Sequence, residues 1–173
     1  TVDLLLPSGA ENLNYVLYTD ESPYKMQREW LDRLPFDIYS VNVHTGAKRL
    51  IGRSYRTTPK WSVNGKWAVM YDPIAQVWNK FDGATGKVVN ISDAIGYPMF
   101  VESYDKPAPA PAYGIAGWTA DGNNVFLYDA YDWWKIDLTG ERQPECLTKG
   151  YGRKHGKSIR KMTSNIDKDV FQK

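Results

Sequence analysis

The sequence is poor in the residues that form disulfides and metal centres. Among 173 residues there are 1 Cys and 2 His. An internal disulfide and a Cys-based metal site are therefore excluded, while the redox compartment stays open. No apolar run approaches the roughly 20 residues of a membrane-spanning helix, and the N-terminus shows no signal-peptide pattern. Phosphate-binding loops and dinucleotide-binding glycine patterns are also absent. We expect no cofactor, no bound metal and no membrane span.

Net charge is small, but it is unevenly distributed. The chain has 22 Lys and Arg against 20 Asp and Glu, a balance of +2. Residues 147–173 contain 8 basic and 2 acidic residues, which leaves the remainder at −4. The Gly-rich basic stretch 149–161 is compatible with a nucleic-acid patch, but the acidic body argues against one. We interpret the basic tail 149–173 as a solvated loop that starts a fourth repeat, and we expect no nucleic-acid partner.

What the chain has in abundance is aromatic residues and internal repeats. Aromatic side chains make up 14% of the sequence, with 7 Trp and 12 Tyr. Three short apolar segments end in similar Tyr and Asp residues, which indicates a repeated strand. These segments are YVLYTD at 15–20, WAVMYD at 67–72 and NVFLYD at 124–129.

Two further sets of segments complete each repeat. Alternating strands that end in Thr-Gly turns follow at 38–46, 77–86 and 133–140, and each turn leads into another short strand. Segments with Asn-Gly or Asp-Gly turns precede the second and third copies, as WSVNGK at 61–66 and WTADGN at 118–123. Each unit is thus a four-stranded antiparallel sheet, and repeated sheets of this kind are typical of a β-propeller.

The predicted fold is all-β, a β-propeller fragment of about three four-stranded antiparallel blades in a single partial domain, 1–173. We place the repeats at about 1–52, 53–92 and 113–150, and the first lacks a clear opening strand. A propeller typically closes with about four to eight blades. The chain also begins at Thr1 without an initiator Met. We therefore expect a piece of a longer polypeptide that self-associates through exposed blade edges.

Two insertions interrupt the repeats, at 22–36 and 93–112. In the first, Met26, Trp30 and Leu34 have the i, i+4, i+8 spacing of one face of a short helix, although a turn is also possible. The second contains KPAPAPA at 106–112, which predicts an extended, polyproline-like segment.

Several of these motifs resemble the N-terminal propeller of prolyl oligopeptidase family serine peptidases, with the dipeptidyl peptidase-like bacterial members most similar. The resemblance lies in 61–72 (WSVNGKWAVMYD), in YGIAGW at 113–118 after the Pro-rich loop, and in YDWWKIDLTG at 131–140. It implies a propeller that gates or positions peptide substrate for a C-terminal α/β-hydrolase domain of the parent chain. It also favours a bacterial protein in the periplasm or outside the cell.

No catalytic triad can be assigned to this chain. A nucleophile elbow needs Gly-x-Ser-x-Gly, and the segments around Ser54 and Ser158 both lack the second Gly. His44 falls in a predicted Thr-Gly turn and His155 in the basic tail. Some relatives bind a substrate amino terminus through paired Glu residues, but Glu21 and Glu29 are not adjacent, so that role is not carried over. We expect no peptidase activity from this chain alone.

The recurring acidic and aromatic residues admit structural and functional interpretations. Asp20, Asp72 and Asp129 recur at equivalent strand ends, which favours turn capping over catalysis. The Ser62-x-Asn-Gly turn resembles the Asp-box of glycosidase propellers only loosely, because its Gly comes one position early. Most tryptophans at repeat positions fit packing between blades. Trp133 and Trp134 face opposite sides of one strand, so they are the candidates for an aromatic platform that binds a ligand.

Two classes of function remain open. The first is the propeller segment of a serine peptidase; the alternative is a non-catalytic propeller that binds a protein or glycan partner. Substrate, cleavage specificity, oligomeric state and the number of blades in the parent are not determined by the sequence.

Overall fold

The computed structural model describes residues 2–7, 13–31, 34–161 and 170–171. Strands account for nearly all of the regular structure, with one 3₁₀ helix at Ser22–Gln27 and one short helix, α1, at Tyr151–His155. The strands are β1 Val2–Leu5, β2 Tyr15–Asp20, β3 Phe36–Asn42, β4 Lys48–Tyr55, β5 Lys60–Trp61, β6 Trp67–Asp72, β7 Val77–Asp82, β8 Val88–Asn90, β9 Ile115–Thr119, β10 Asn124–Tyr128, β11 Trp133–Asp137, β12 Glu145–Cys146 and β13 Val170–Phe171.

The strands form three antiparallel meanders of four strands each, as the repeats predict. The sheets have the orders β1-β2-β3-β4, β5-β6-β7-β8 and β9-β10-β11-β12. Because each strand pairs with the next one along the chain, short turns suffice to connect them. In the third sheet, β13 adds a fifth strand parallel to β9. The all-β prediction and the prediction of three propeller blades are confirmed.

Stacking of the sheets explains why β6 is apolar without interruption. Successive strand residues point to opposite faces of a sheet. Ala68 and Met70 therefore pack against the first sheet, in a core shared with Leu17 and Ile38. The alternate residues of β6 pack against the third sheet. That second core contains Val69, Tyr71, Trp78, Ile95, Met99, Trp118, Val125, Leu127, Trp134, Ile136 and Leu138. The middle sheet is thus buried on both faces.

The opening strand of the first sheet is present, contrary to the sequence interpretation. Val2–Leu5 forms β1 and pairs antiparallel with β2, so that Leu5 lies opposite Leu17. No sequence signal marks this strand, because residues 6–14 contain neither Asn-Gly nor Asp-Gly, in contrast to the other two repeats. Residues 8–12, between β1 and β2 in the chain, lie outside the described residues.

Of the two alternatives for the first insertion, a short amphipathic helix and a turn, the structure has turns and no amphipathic α-helix among its described residues. A 3₁₀ helix occupies Ser22–Gln27, with Pro23 in its first turn, and turns follow at 28–30. Met26 and Trp30 are 84% and 77% exposed, whereas Leu34 is buried. The three side chains do not form one packed face, because the 3₁₀ turn and the following irregular segment break the α-helical period. Tyr24 anchors the insertion, since its hydroxyl donates to Asp37 Oδ1 over 2.5 Å.

The second insertion and the tail both pack on the sheets. The Pro-rich loop is held to the second sheet where the Tyr71 hydroxyl donates to the Ala110 carbonyl at 3.1 Å. Most side chains of 149–161 are exposed. The backbone is nevertheless docked, because the Ile159 amide donates to the Tyr131 carbonyl at 2.8 Å. Within the described residues, no helix has the length and apolar character needed to cross a bilayer.

Candidate ligand pocket at the third sheet

The three recurring aspartates cap equivalent turns, as predicted. Asp20 Oδ1 accepts a hydrogen bond from the Ser22 amide. Asp72 Oδ1 accepts from the amides two and three residues further on, and Asp129 Oδ1 does the same. These are Asx turns, in which a short side chain satisfies the backbone donors of its own loop.

Asp129 differs from its two counterparts because its second oxygen accepts from a buried indole and from a cation. Asp72 Oδ2 accepts one hydrogen bond, from the Tyr55 hydroxyl at 3.4 Å. Asp129 Oδ2 accepts from Trp134 Nε1 at 3.0 Å and from Arg153 Nη2 at 3.1 Å. The Asp129 side chain is 1% exposed and that of Arg153 is 30% exposed. One carboxylate thus joins the β10–β11 turn, strand β11 and helix α1.

The guanidinium of Arg153 is fixed by aromatic rings as well as by the carboxylate. Its Cζ lies 3.8 Å from the centroid of the Tyr97 ring and 5.1 Å from that of Tyr131. Cation–π contacts at these distances are attractive and restrict the side chain to one orientation. Its Nε is buried and has no hydrogen-bond acceptor among the described residues.

Asp132 holds the loop that carries Arg153. Asp132 Oδ1 accepts from Thr148 Oγ1 at 2.6 Å and from the Gly152 amide at 2.8 Å, and its Oδ2 accepts from the Arg153 amide at 3.0 Å. Burial by itself would raise the pKa of Asp132, but these hydrogen bonds and the nearby Arg153 charge outweigh it and lower that pKa. The carboxylate is therefore ionised and fully engaged with the loop.

These interactions form one wall of an open pocket of about 480 Å³. Cationic side chains, two aromatic rings and the single cysteine line the pocket, and only one carboxylate does so. The lining residues are Tyr97, Asp132, Trp134, Cys146, Lys149, Gly150, Arg153 and Lys154. The Tyr97 and Trp134 ring centroids are 6.0 Å apart. We call this feature the β11–α1 pocket, and Lys149 and Lys154 its rim lysines.

The two tryptophans of the predicted platform lie on opposite faces of β11. Trp134 is 9% exposed and borders the β11–α1 pocket. Trp133 packs on the other face, where its ring meets Tyr128 edge-on at 5.3 Å and its Nε1 donates to the Ile159 carbonyl at 2.9 Å. The structure thus brings one of the pair to the pocket, and their joint role as a ligand platform stays a prediction.

Ser54 and Ser158, from the two incomplete nucleophile-elbow segments, are each held by other contacts. Ser54 lies in β4 with its amide bonded to Tyr24 and Asp37, and Ser158 Oγ donates to the Ala130 carbonyl. Among the described residues, neither serine forms a hydrogen bond with a histidine. No group of His, Cys, Asp and Glu in the described part of the chain could hold a metal ion.

Sequence reasoning did not identify Tyr97, Asp132 and Arg153 as members of a site. None of them recurs in the other repeats. Tyr97 belongs to an insertion, and Arg153 belongs to the basic tail, for which the sequence predicts a solvated loop. The one available signal was Asp132, because it follows the recurring Asp129 and has no acidic counterpart in the other turns.

Several solved structures of propeller proteins are similar in fold to this chain. The β-propeller domain of the Trilobed protease from Pyrococcus furiosus is 15% identical, with a TM-score of 0.39, over 84% of this chain and 42% of that one. Pyrococcus horikoshii acylaminoacyl peptidase is 14% identical, with a TM-score of 0.38, over 84% of this chain and 25% of that one. TolB from Acinetobacter baumannii is 13% identical, with a TM-score of 0.30, over 84% of this chain and 43% of that one.

The chain spans less than half the length of each of these proteins. The first two of these proteins are a protease and a peptidase by name. At these identities the likeness concerns the fold alone. No family model matches the sequence, and no curated protein matches it.

Proposed function

We propose that the chain is the propeller segment of a prolyl oligopeptidase-like serine peptidase, which gates or positions peptide substrate for a hydrolase domain elsewhere in the parent polypeptide. In this proposal, residues 1–173 form part of one propeller domain and carry no catalytic residue. The partners are the α/β-hydrolase domain and the peptide substrate. Blade number supports the assignment to part of a domain, because the three sheets are fewer than the roughly four of the smallest usual propellers.

The observation that carries this proposal is the structural role of the motifs that resemble the family. The Pro-rich loop and the YGIAGW segment form the joint between the second and third sheets. Tyr71 holds the loop through Ala110, Gly114 adopts a φ of +109° that other residues rarely reach, and Trp118 is 5% exposed in the shared core. The most distinctive sequence of the chain is therefore used to set the packing of neighbouring blades.

The first test separates the chain from its parent. The purified 173-residue chain is incubated with a fluorogenic peptide that contains proline, and we expect no hydrolysis. Turnover that persists through repeated purification would refute the proposal. The reading frame should also encode a Gly-x-Ser-x-Gly segment outside this chain, and a frame without that segment would remove the basis for a peptidase.

The second test addresses gating in the parent protein. The second and third sheets also meet at Gly122, where an added Cβ would lie 2.6 Å from the Asn64 amide nitrogen. Loosening this contact with Gly122→Ala should let longer peptides reach the hydrolase domain, while turnover of a two-residue substrate stays unchanged. The matched control is Gly46→Ala, at a turn without close neighbours. Identical length selectivity in both variants and the unmodified protein would contradict a gating role.

A non-catalytic binding propeller is the second candidate, and the β11–α1 pocket favours it. A pocket with aromatic walls and a few convergent polar groups is a common form of ligand site.

Self-association is a further part of the proposal, because Tyr18 and Tyr39 stack on the outer face of the first sheet without a neighbouring sheet among the described residues. Light scattering that shows only monomer at high concentration would contradict self-association.

A further inference from the structure

We propose that the β11–α1 pocket binds a carboxylate that carries an aromatic ring. This inference does not rest on the proposed function, because it concerns a local site and not the activity of a parent protein. A free aromatic acid and the C-terminus of a peptide that ends in an aromatic residue share this chemistry.

The charges around the pocket favour an anion. Lys149, Arg153 and Lys154 border it, and Asp132 is the one acidic residue that does so. Both Asp132 oxygens are already occupied by donors from the protein. A carboxylate in that state offers little hydrogen-bonding capacity to a ligand. The neighbouring carboxylate, Asp129, is buried behind Arg153. The side chains that can reach a ligand are therefore mainly cationic, and a concave site with an excess of one charge sign concentrates counter-ions.

Arg153 is held in place before any ligand arrives. Asp129 and the Tyr97 ring fix its guanidinium, and Asp132 fixes its backbone. A positioned cation loses little conformational entropy on binding, so more of the interaction energy appears as affinity. The rim lysines are flexible and exposed, and they add charge without fixing geometry.

The apolar part of the pocket favours a ring on the ligand. Tyr97 is 44% exposed, and its ring lies close to Trp134 at the pocket wall. Offset and edge-to-face arrangements of aromatic rings are attractive beyond the burial of area. The volume of about 480 Å³ lies within the range of roughly 300–1,000 Å³ that is usual for small-molecule sites.

The experiment is a calorimetric titration of the chain with three probes at low salt. The probes are 3-phenylpropionate, its uncharged amide, and N-acetyl-Gly-Phe with a free carboxylate. We expect saturable binding of the acid with a Kd of about 1 mM or tighter and at least a roughly tenfold loss for the amide. Tighter binding of the peptide would support the site and identify a peptide C-terminus as the source of the carboxylate. Tighter binding of 3-phenylpropionate would support the site and identify a free aromatic acid as the source of the carboxylate.

Matched variants separate the pocket from the general charge of the tail. Lys149→Gln with Lys154→Gln should weaken binding of the acid by about fivefold or more. The control double variant, Lys66→Gln with Lys157→Gln, removes the same charge from exposed positions that do not line the pocket and should stay within about twofold. Exposed Lys→Gln changes ordinarily alter stability little, so circular dichroism should show all variants folded.

A third variant tests the aromatic wall. Tyr97→Ser should weaken binding of the acid by about threefold or more, because the ring contact is lost. The proposal is overturned if the acid does not saturate at 20 mM, a concentration of about twenty times the expected Kd. Equal affinity for acid and amide would also overturn it, as would equal losses in the two lysine double variants or unchanged binding by Tyr97→Ser.

Discussion

Replacing Asp129 with asparagine should destabilise the protein far more than the same change at an equivalent aspartate. Asparagine keeps an oxygen for the two amides of the turn, so the Asx turn can persist. The other side-chain atom becomes an NH₂ group that faces two donors, Trp134 Nε1 and Arg153 Nη2. The substitution therefore removes a counter-ion and places donor against donor.

The magnitude follows from what is left without a partner. Losing the partner of a buried donor costs about 1–3 kcal/mol, and removing one member of a fully buried ion pair costs about 3–5 kcal/mol. The Arg153 side chain is 30% exposed, so water can recover part of its solvation. We expect a loss of about 3 kcal/mol in the free energy of unfolding, which is a fall of about 1.5 M in the urea midpoint at a slope of about 2 kcal/mol per M.

Urea unfolding followed by tryptophan fluorescence measures this loss, and the repeat supplies a matched control. Asp20 caps the corresponding turn of the first sheet by accepting from the Ser22 amide, so Asp20→Asn should cost about 0.5 kcal/mol. A companion variant, Asp129→Asn with Arg153→Met, should recover part of the stability, because the stranded charge is removed. If Asp129→Asn cost no more than Asp20→Asn, the argument that the third turn is different would be refuted.

Three further predictions concern the joint between sheets, the loop and the pocket. Gly122→Ala should lower the free energy of unfolding by about 2–3 kcal/mol, since its φ is +69° and an added Cβ would lie 2.6 Å from the Asn64 amide nitrogen. Gly46 has a similar φ of +70° but no neighbour near the added Cβ, so Gly46→Ala should lower it by about 1 kcal/mol. The lowered pKa of Asp132 makes its contribution to stability complete above the unfolded pKa of about 3.9 and lost as pH falls through the lower folded value. The difference in Tm between the unmodified protein and Asp132→Asn should therefore shrink in acid. Replacing the rim lysines with glutamine should lower the rate of Cys146 alkylation by iodoacetate, relative to neutral iodoacetamide, by about threefold.

Each of these predictions has a result that would contradict it. Equal unfolding free energies for the two glycine variants would show that the Asn64 contact is not tight. A Tm difference for Asp132→Asn that stays constant from pH 6 to about pH 2, well below the unfolded pKa, would show that this carboxylate does not stabilise the loop through its charge. An unchanged ratio of the two alkylation rates, measured by mass spectrometry at low salt, would show that the rim lysines do not act on the pocket.

The repeated elements were predictable because their signals are local. The Asn64-Gly65 and Asp121-Gly122 turns specify hairpins within four residues of chain. The alternation of apolar residues specifies the neighbouring strands over similarly short distances. The turn caps were predictable for the same reason, since Asp72 bonds to amides only two and three residues away.

Elements without a repeated signal were not predictable from local pattern. β1 lacks a recognisable hairpin turn, so its strand emerged only from its pairing with β2. Met26 and Trp30 have helical spacing, but Met26 lies in a 3₁₀ turn and both side chains are exposed to solvent. Spacing alone carries no information about which side of an irregular segment meets the core.

By itself, the sequence determined an all-β chain of repeated four-stranded sheets, the turns that join their strands, and the absence of an assignable triad. Only the tertiary structure decided which of three equal aspartates is buried against Arg153, 24 residues further along the chain. It also decided that Tyr97, from an insertion, covers that arginine. The physical reason is that turns and strands depend on neighbours along the chain. A pocket depends on side chains that meet only when sheets, insertion and tail have packed together.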